Sequence, residues 1–190
     1  MRFLAELRFL PPKVALFQWR AWRLARRIRD PFSQLSATRP RKLAVLLSAA
    51  RGCRTVVELG TGTAWTAISL TLADQDRVVL SYDPIKRPER ERYLQLVNPA
   101  TQRRLTLVGA AGNEGPRDNG IVDLLYIDSR HDRDDTMREM QVWQPVLGEG
   151  SFVVFDDYAH PDYPGVEEAV RRLGFEGEQR EGLFLYRVST

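Results

Sequence analysis

Three aspartates carry the most specific chemistry in the sequence. Asp128 ends the apolar run Val122-Asp-Leu-Leu-Tyr-Ile127, and Asp156-Asp157 ends the run Phe152-Val-Val-Phe155. If those runs are neighbouring strands, three carboxylates meet at one rim of a sheet. Like charges held that close raise one another's pKa. A hard divalent cation with oxygen ligands (Mg2+, with Mn2+ or Ca2+ as substitutes) relieves the repulsion. Such a cation also makes a bound hydroxyl a better nucleophile. His131 and His160 each stand three residues after one of these aspartates. An imidazole with its ordinary pKa of about 6.5 suits a general base at neutral pH. Simpler roles compete: Asp157 can cap a turn, and His131-Asp-Arg-Asp-Asp135 can open a helix.

A second group of residues, Glu58-Leu-Gly-Thr-Gly-Thr-Ala64, has the form of a strand meeting a helix through a glycine turn. Gly60 and Gly62, with Thr61 between them, let the main chain turn tightly and approach a ligand closely. The dinucleotide pattern G-x-G-x-x-G is not met, because its third glycine is missing. Glu58 would also repel a pyrophosphate, and suits a cationic ligand such as a sulfonium with an amino group. Asp83 lies 23 residues beyond Gly60, where an acid commonly receives ribose hydroxyls. Asp83 followed by Pro84 is equally able to start a turn.

The elements that must position these residues alternate in type. Short apolar runs over 55–59, 78–82, 104–108, 122–127, 152–155 and 183–188 read as strands. Helical patterns fall at 64–73, 88–97, 133–146 and 166–173. Alternation at this spacing indicates βαβ units and a parallel sheet. Near-continuous apolar strands indicate a sheet covered on both faces. No helical pattern lies between Gly174 and Gly182, so the last strands are expected to pair antiparallel. Ahead of the first strand, Val14, Phe17, Ala21, Leu24, Ala25 and Ile28 recur at helical spacing, with Arg20, Arg23, Arg26, Arg27 and Arg29 on the other face. A further helix is expected over 41–50. The domain reading is a basic helical arm over 1–38 and a body over 39–190.

Composition narrows the classes. The 190 residues are 43% apolar and 28% charged, ordinary for one globular domain. A single cysteine excludes a disulfide framework and a cysteine zinc site, and two histidines exclude a histidine-rich metal cluster. No apolar run reaches the roughly 20 residues of a membrane span. Without a secretory apolar segment either, the expected location is the cytoplasm. The net charge of +3 conceals a division: residues 1–55 hold 13 Lys and Arg against 2 Asp and Glu, and the remainder 15 against 23. A basic arm on an acidic body suggests an anionic partner. The alternative is that the arm's apolar face packs on the body or on a second subunit.

Taken together, these motifs resemble the class I S-adenosylmethionine-dependent methyltransferases. Residues 58–64 look like the family's first motif, with Ala64 in place of the usual last glycine, and Asp83 looks like its ribose-binding acid. Residues 122–131, the Val154-Phe-Asp-Asp157 run and the Tyr163-Pro-Gly-Val166 segment look like the bacterial branch of the metal-dependent small-molecule O-methyltransferases. That branch is related to catechol, caffeoyl-coenzyme A, cephalosporin and sugar O-methyltransferases.

The resemblance implies a doubly wound, mostly parallel seven-stranded α/β sheet with N-terminal helices. It implies S-adenosylmethionine across Glu58, Gly60, Thr61, Gly62, Ala64, Asp83 and Asp128. It implies Mg2+ (or Mn2+ or Ca2+) on Asp128, Asp156 and Asp157. The acceptor would be a small-molecule or saccharide hydroxyl, walled by Trp65, Tyr158 and Tyr163, with His131 or His160 as base. A homodimer through the N-terminal helices and peripheral membrane contact through the basic helix are further expectations, and nucleic acid is disfavoured. Two alternatives stand beside this reading: a metal-independent methyltransferase holding RNA by the arm, and a non-enzymatic nucleotide-binding or membrane-docking module.

Overall fold

The structure, a computed structural model, describes residues 2–189. Helices α1 (Arg2–Glu6), α2 (Pro12–Ile28), α3 (Pro31–Ser36) and α4 (Pro40–Ala49) precede the first strand. Then β1 (Thr55–Leu59), α5 (Trp65–Ala73), β2 (Val78–Tyr82), α6 (Glu89–Leu94), α7 (Pro99–Gln102) and β3 (Leu105–Val108) follow. The second half holds β4 (Val122–Ile127), α8 (Arg133–Trp143), β5 (Leu147–Phe155), α9 (Pro164–Leu173), β6 (Glu178–Arg180) and β7 (Leu183–Arg187). Proline opens α2, α3, α4 and α9 within the first two positions, where its missing N–H costs nothing.

These strands form one seven-stranded sheet in the order β3-β2-β1-β4-β5-β7-β6. The first five are parallel, and β7 runs antiparallel to both β5 and β6. The expected antiparallel pairing at the sheet's end is therefore present. Its outer member, β6, was not foreseen: Glu178, Gln179 and Arg180 are all exposed and lack an apolar pattern. Edge strands this short and polar resist pairing with other chains.

Two apolar layers cover the sheet. Alternate residues of the strands serve opposite faces, as a period of two requires. Val56, Val79, Leu124 and Val154 pack with Val14, Phe17, Ala21, Leu43, Leu46, Ile68 and Leu70 of α2, α4 and α5. Val57, Leu125, Val153 and Phe155 pack with Met140, Trp143, Val166 and Val170 of α8 and α9. The apolar face of α2 thus enters the core, while Arg20, Arg23, Arg26, Arg27 and Arg29 stay exposed. Polar contacts reinforce the seam: Gln18 Nε2 donates to Ser69 Oγ at 2.9 Å, and the Thr38 and Thr66 hydroxyls stand 2.9 Å apart. No helix among the described residues is long and apolar enough to cross a membrane.

Candidate active site

In an open α/β sheet, ligands bind beyond the carboxyl ends of the strands where the strand order reverses. Here the reversal lies between β1 and β4. A cleft of about 1080 Å3 opens there. Gly60, Thr61, Gly62, Trp65, Asp83, Asp128, His131, Asp156, Asp157, Tyr158, His160 and Tyr163 all line it. Of the residues singled out from sequence, Glu58 and Ala64 are not in the cleft wall.

Gly60 makes the closest passage. Its φ is +105°, and a Cβ there would stand 1.9 Å from the Asp128 carbonyl oxygen. Only glycine lets the β1 turn pass the end of β4. Asp83 fixes the next turn of chain. Its Oδ1 accepts from Ile85 N at 2.7 Å, and its Oδ2 accepts from Gly62 N at 3.0 Å and from Arg90 Nη2 at 2.5 Å. Arg90 Nε also donates to the Gly62 carbonyl at 2.6 Å. Arg90 is thus a clamp between the glycine turn and Asp83, and seven residues separate it from that acid. The sequence signal for it was only a charged helix.

Glu58 points elsewhere than expected. It is 1% exposed, and Ser81 donates a short hydrogen bond to its Oε2. Burial pushes its carboxyl up to about 8, against the lowering effect of the Ser81 bond. The cause is register: Glu58 lies between Ser81 of β2 and Tyr126 of β4, inside the layer beneath the helices. It backs the glycine turn through Ser81, whose Oγ is 2.7 Å from Thr61 Oγ1.

At the other end, β4 and β5 are neighbours, and the backbone ladder continues past them, with Asp156 N donating to the Ile127 carbonyl at 2.9 Å. Asp128 and Asp156 therefore share a face with Tyr126, two residues before Asp128. The Tyr126 hydroxyl donates to Asp156 Oδ2 at 2.6 Å and stands 3.3 Å from Asp128 Oδ2. Burial, with Asp156 and Glu58 nearby, raises the Asp128 carboxyl well above the usual range. His131 Nε2 is 3.6 Å from Asp128 Oδ1 and 3.8 Å from Asp157 Oδ2. Burial lowers the imidazole pKa and outweighs the raising effect of Asp157, so the neutral, proton-accepting form is favoured. The ring packs on Tyr163 at 4.8 Å. His160 is at the rim: it is 42% exposed and its Nδ1 accepts from Asp162 N at 3.2 Å.

A divalent ion was the expected counter-charge for these aspartates, and the residues as arranged do not fit one. Lys42, from α4, places its Nζ 2.5 Å from Asp156 Oδ1 and 2.8 Å from Asp157 Oδ1. Burial alone would lower the lysine pKa, but the two aspartates raise it above its ordinary value, so the ammonium form is held. Asp156 Oδ1 also accepts from Asp157 N at 2.7 Å. The Asp156 oxygens are thus engaged by protein donors. Among the described residues, no group of three or more His, Cys, Asp or Glu is disposed to hold a metal ion. The convergence of carboxylates was legible, but the cation that meets them comes from 114 residues away.

The N-terminal helices also reach the cleft. Asp30 caps α3, accepting from Ser33 N at 3.0 Å, and the Ser33 hydroxyl pairs with Thr63 Oγ1 at 2.7 Å. Tyr93 donates to Asp30 at 2.7 Å. Phe32 faces Gly62, and the Arg87 guanidinium lies 3.5 Å from the centre of the Phe32 ring.

Comparison with known proteins supplies a family for this geometry. A family profile described as "Methyltransferase domain" matches residues 57–158. No curated protein sequence matches the chain. Among solved structures, the chain is similar to apo CalS11, a TDP-rhamnose 3'-O-methyltransferase of calicheamicin biosynthesis. The TM-score is 0.62 and the identity 18%, over 95% of this chain and 96% of that one. A Staphylococcus aureus protein described as a caffeoyl-CoA O-methyltransferase aligns with TM-score 0.58 and 14% identity, over 77% of this chain and 82% of that one. A Clostridium thermocellum protein described as an rRNA-methylase aligns with TM-score 0.60 and 14% identity, over 77% and 97%. A sugar, a coenzyme A ester and an RNA stand behind one fold, so the likeness fixes the fold and leaves the acceptor to the site.

Proposed function

We propose, for a chain that belongs to the methyltransferase-domain family, that it is an S-adenosylmethionine-dependent O-methyltransferase acting on a hydroxyl of a small molecule or saccharide. One observation carries the reading: the glycine turn of β1 and the Asp128–His131–Asp157 group of β4 and β5 face the same cleft. The first gives a cofactor seat, the second a base beside an acidic rim.

The residues present fit the cofactor. Two buried donors on residues that line the cleft, Trp65 Nε1 and Arg87 Nε, have no hydrogen-bond acceptor among the described residues. A buried N–H left unpaired is costly, so such groups point to a ligand acceptor. Asp83 Oδ1 accepts only from Ile85 N among the described bonds, which leaves it capacity for a ribose hydroxyl. Gly60 and Gly62 expose the main chain beside it. When bound, the cofactor supplies a methyl group on a positively charged sulfur.

His131 Nε2 then serves as the proton acceptor for the substrate hydroxyl. Asp157, 3.8 Å from that nitrogen, stabilises the imidazolium that forms, and Tyr163 packs on the ring. Trp65, Tyr158 and Tyr163 wall the acceptor and exclude water. Catalysis rests on placing the oxygen in line and drying the site, because opposite charges disappear in the transfer.

Calorimetry with S-adenosylmethionine tests the cofactor seat. Wild type should bind one equivalent, and Asp83→Ala should bind about tenfold or more weakly, the loss of a charged hydrogen-bond acceptor. A wild-type chain that releases no heat and shows no saturation sinks the reading.

A second reading concerns the outer face of α2. Arg20, Arg23, Arg26 and Arg27 are exposed there with Leu16 and Trp19, 46% and 38% accessible. Basic and apolar groups on one helix face suit an anionic membrane surface. Co-sedimentation with phosphatidylserine vesicles should fall when these four arginines become glutamine; equal pelleting of both chains removes it.

A further inference from the structure

We propose that Lys42 is the resident cation of the acceptor site: its ammonium meets two of the three aspartates expected to hold a divalent ion, and it binds the acceptor oxygen. The inference rests on the methyltransferase reading and deepens it.

An ammonium group has three N–H donors. Lys42 gives one to Asp156 Oδ1 and one to Asp157 Oδ1. The third is left for the cleft, whose wall includes Lys42. Asp156 has little left to offer a metal, because Oδ1 takes Lys42 and Asp157 N, and Oδ2, which takes Tyr126, keeps one lone-pair site. A divalent ion bound to the same oxygens would sit within a few Å of the ammonium, and the two would repel.

The main chain beneath Lys42 is held in place. Its helix is pinned by Leu43, Leu46 and Leu47, all buried in the core. The stem runs beside the β6–β7 turn, where a Cβ on Gly182 would meet Lys42 Cε at 3.6 Å. The lysine is 18% exposed at its side chain, enough to meet a ligand and too little to be a free surface group.

A consequence for substrate class follows. A metal favours acceptors with two neighbouring oxygens that chelate it. A single N–H donor asks for one oxygen. The acceptor class that fits is therefore a lone hydroxyl, held by Lys42 and deprotonated by His131, and a vicinal diol is not required.

The test uses the full chain, stripped with EDTA and dialysed, and Mn2+ as probe, with free Mn2+ followed by electron paramagnetic resonance. Wild type should show no saturable uptake up to about 1 mM, the weak end of oxygen-ligand sites. Lys42→Met should open the aspartates and bind Mn2+ at least about tenfold more tightly than wild type. Lys42→Met with Asp157→Asn should lose that uptake again.

Wild type taking up one Mn2+ per chain, with uptake abolished by Asp157→Asn, overturns the proposal. So does a Lys42→Met chain that melts cooperatively yet gains no Mn2+. Should the variant not fold, the wild-type titration decides alone. Cofactor calorimetry on the same wild-type sample reports separately: no binding there sinks the methyltransferase reading, whatever Mn2+ does.

Discussion

At the β1 end of the cleft, the working parts come from one stretch of chain. The glycine turn, Asp83 and Arg90 lie within about 30 residues, joined by hydrogen bonds that span 28 residues at most. At the β4–β5 end, the parts come from across the molecule: the Lys42 bonds to Asp156 and Asp157 span 114 and 115 residues. The first end is built mainly within one βαβ unit, with Phe32 and Ser33 of α3 packed against Gly62 and Thr63. The second exists only once the whole sheet is assembled and α4 has docked on it. On the proposed function, a compact motif would carry cofactor recognition and long-range assembly would carry acceptor recognition.

The largest expected effect is where the two ends touch. Gly60→Ala would place a methyl 1.9 Å from the Asp128 carbonyl oxygen and 2.6 Å from its carbon. Backbone cannot yield as a flexible side chain can. Overpacking, with a side chain at φ +105°, should cost about 3 kcal/mol or more. The urea midpoint measures this, and cofactor affinity should fall with it. A variant within about 1 kcal/mol of wild type would mean that the two ends are less tightly joined than the close passage implies.

Glu58 lies behind both ends, and its prediction concerns pH. Its folded pKa of about 8 lies above the ordinary 4.5. Below the unfolded value both states hold the proton and no penalty applies. As pH rises toward 8, the unfolded chain loses its proton while the folded one keeps it, so stability falls. Above 8 the folded state bears a buried carboxylate and the loss is complete. Glu58→Gln cannot ionise, and its amide oxygen can take the Ser81 bond. The melting temperature of the variant relative to wild type should therefore climb between pH 5 and 8.5, by about 10 degrees at the upper limit. Using the difference removes buried acids that do not interact with Glu58, notably Glu139, whose carboxyl burial raises to about 7; Asp128, which Glu58 helps to raise, stays in the comparison. A difference constant across that range would show that Glu58 ionises as an exposed acid does.

The same division explains what the sequence could tell. The parallel strands were legible because each is a continuous apolar run, and the glycine turn because glycine spacing is itself the signal. Asp128, Asp156 and Asp157 were legible as strand-end acids. Tyr126 was within reach, since a period of two puts it on the face of Asp128. Lys42 was not: on a basic arm it is one cation among many, and nothing local marks it. Its role is set by where α4 lands, which depends on Leu43, Leu46 and Leu47 finding the sheet. Glu58 lies one layer behind the cleft wall, which spacing alone does not reveal. Its spacing from Gly60 suggested a ligand contact, but β-strand alternation turned it into the layer beneath the helices. Strand β6 carried no pattern because an exposed edge needs none.

Ala64 offers the smallest effect and a test confined to the β1 end. Its φ of 69° and ψ of 17° are left-handed, where the family's usual glycine would be at ease. Relief of that strain should favour Ala64→Gly by about 1–2 kcal/mol. Two losses oppose it. Glycine gives the unfolded chain more freedom, worth about 0.5–1 kcal/mol. The methyl is fully buried in the core, and removing it forfeits about 0.8 kcal/mol. The three contributions nearly cancel, so stability should shift by less than about 0.5 kcal/mol. Cofactor affinity should also hold, because Ala64 is not in the cleft wall. A gain above about 1 kcal/mol in the urea midpoint would mean that the methyl packs on nothing useful. An equal loss would mean that the left-handed turn is not strained. Near-neutrality would explain how this chain carries alanine at a glycine position: core packing offsets the turn, and the seat for the ligand is set one layer further out.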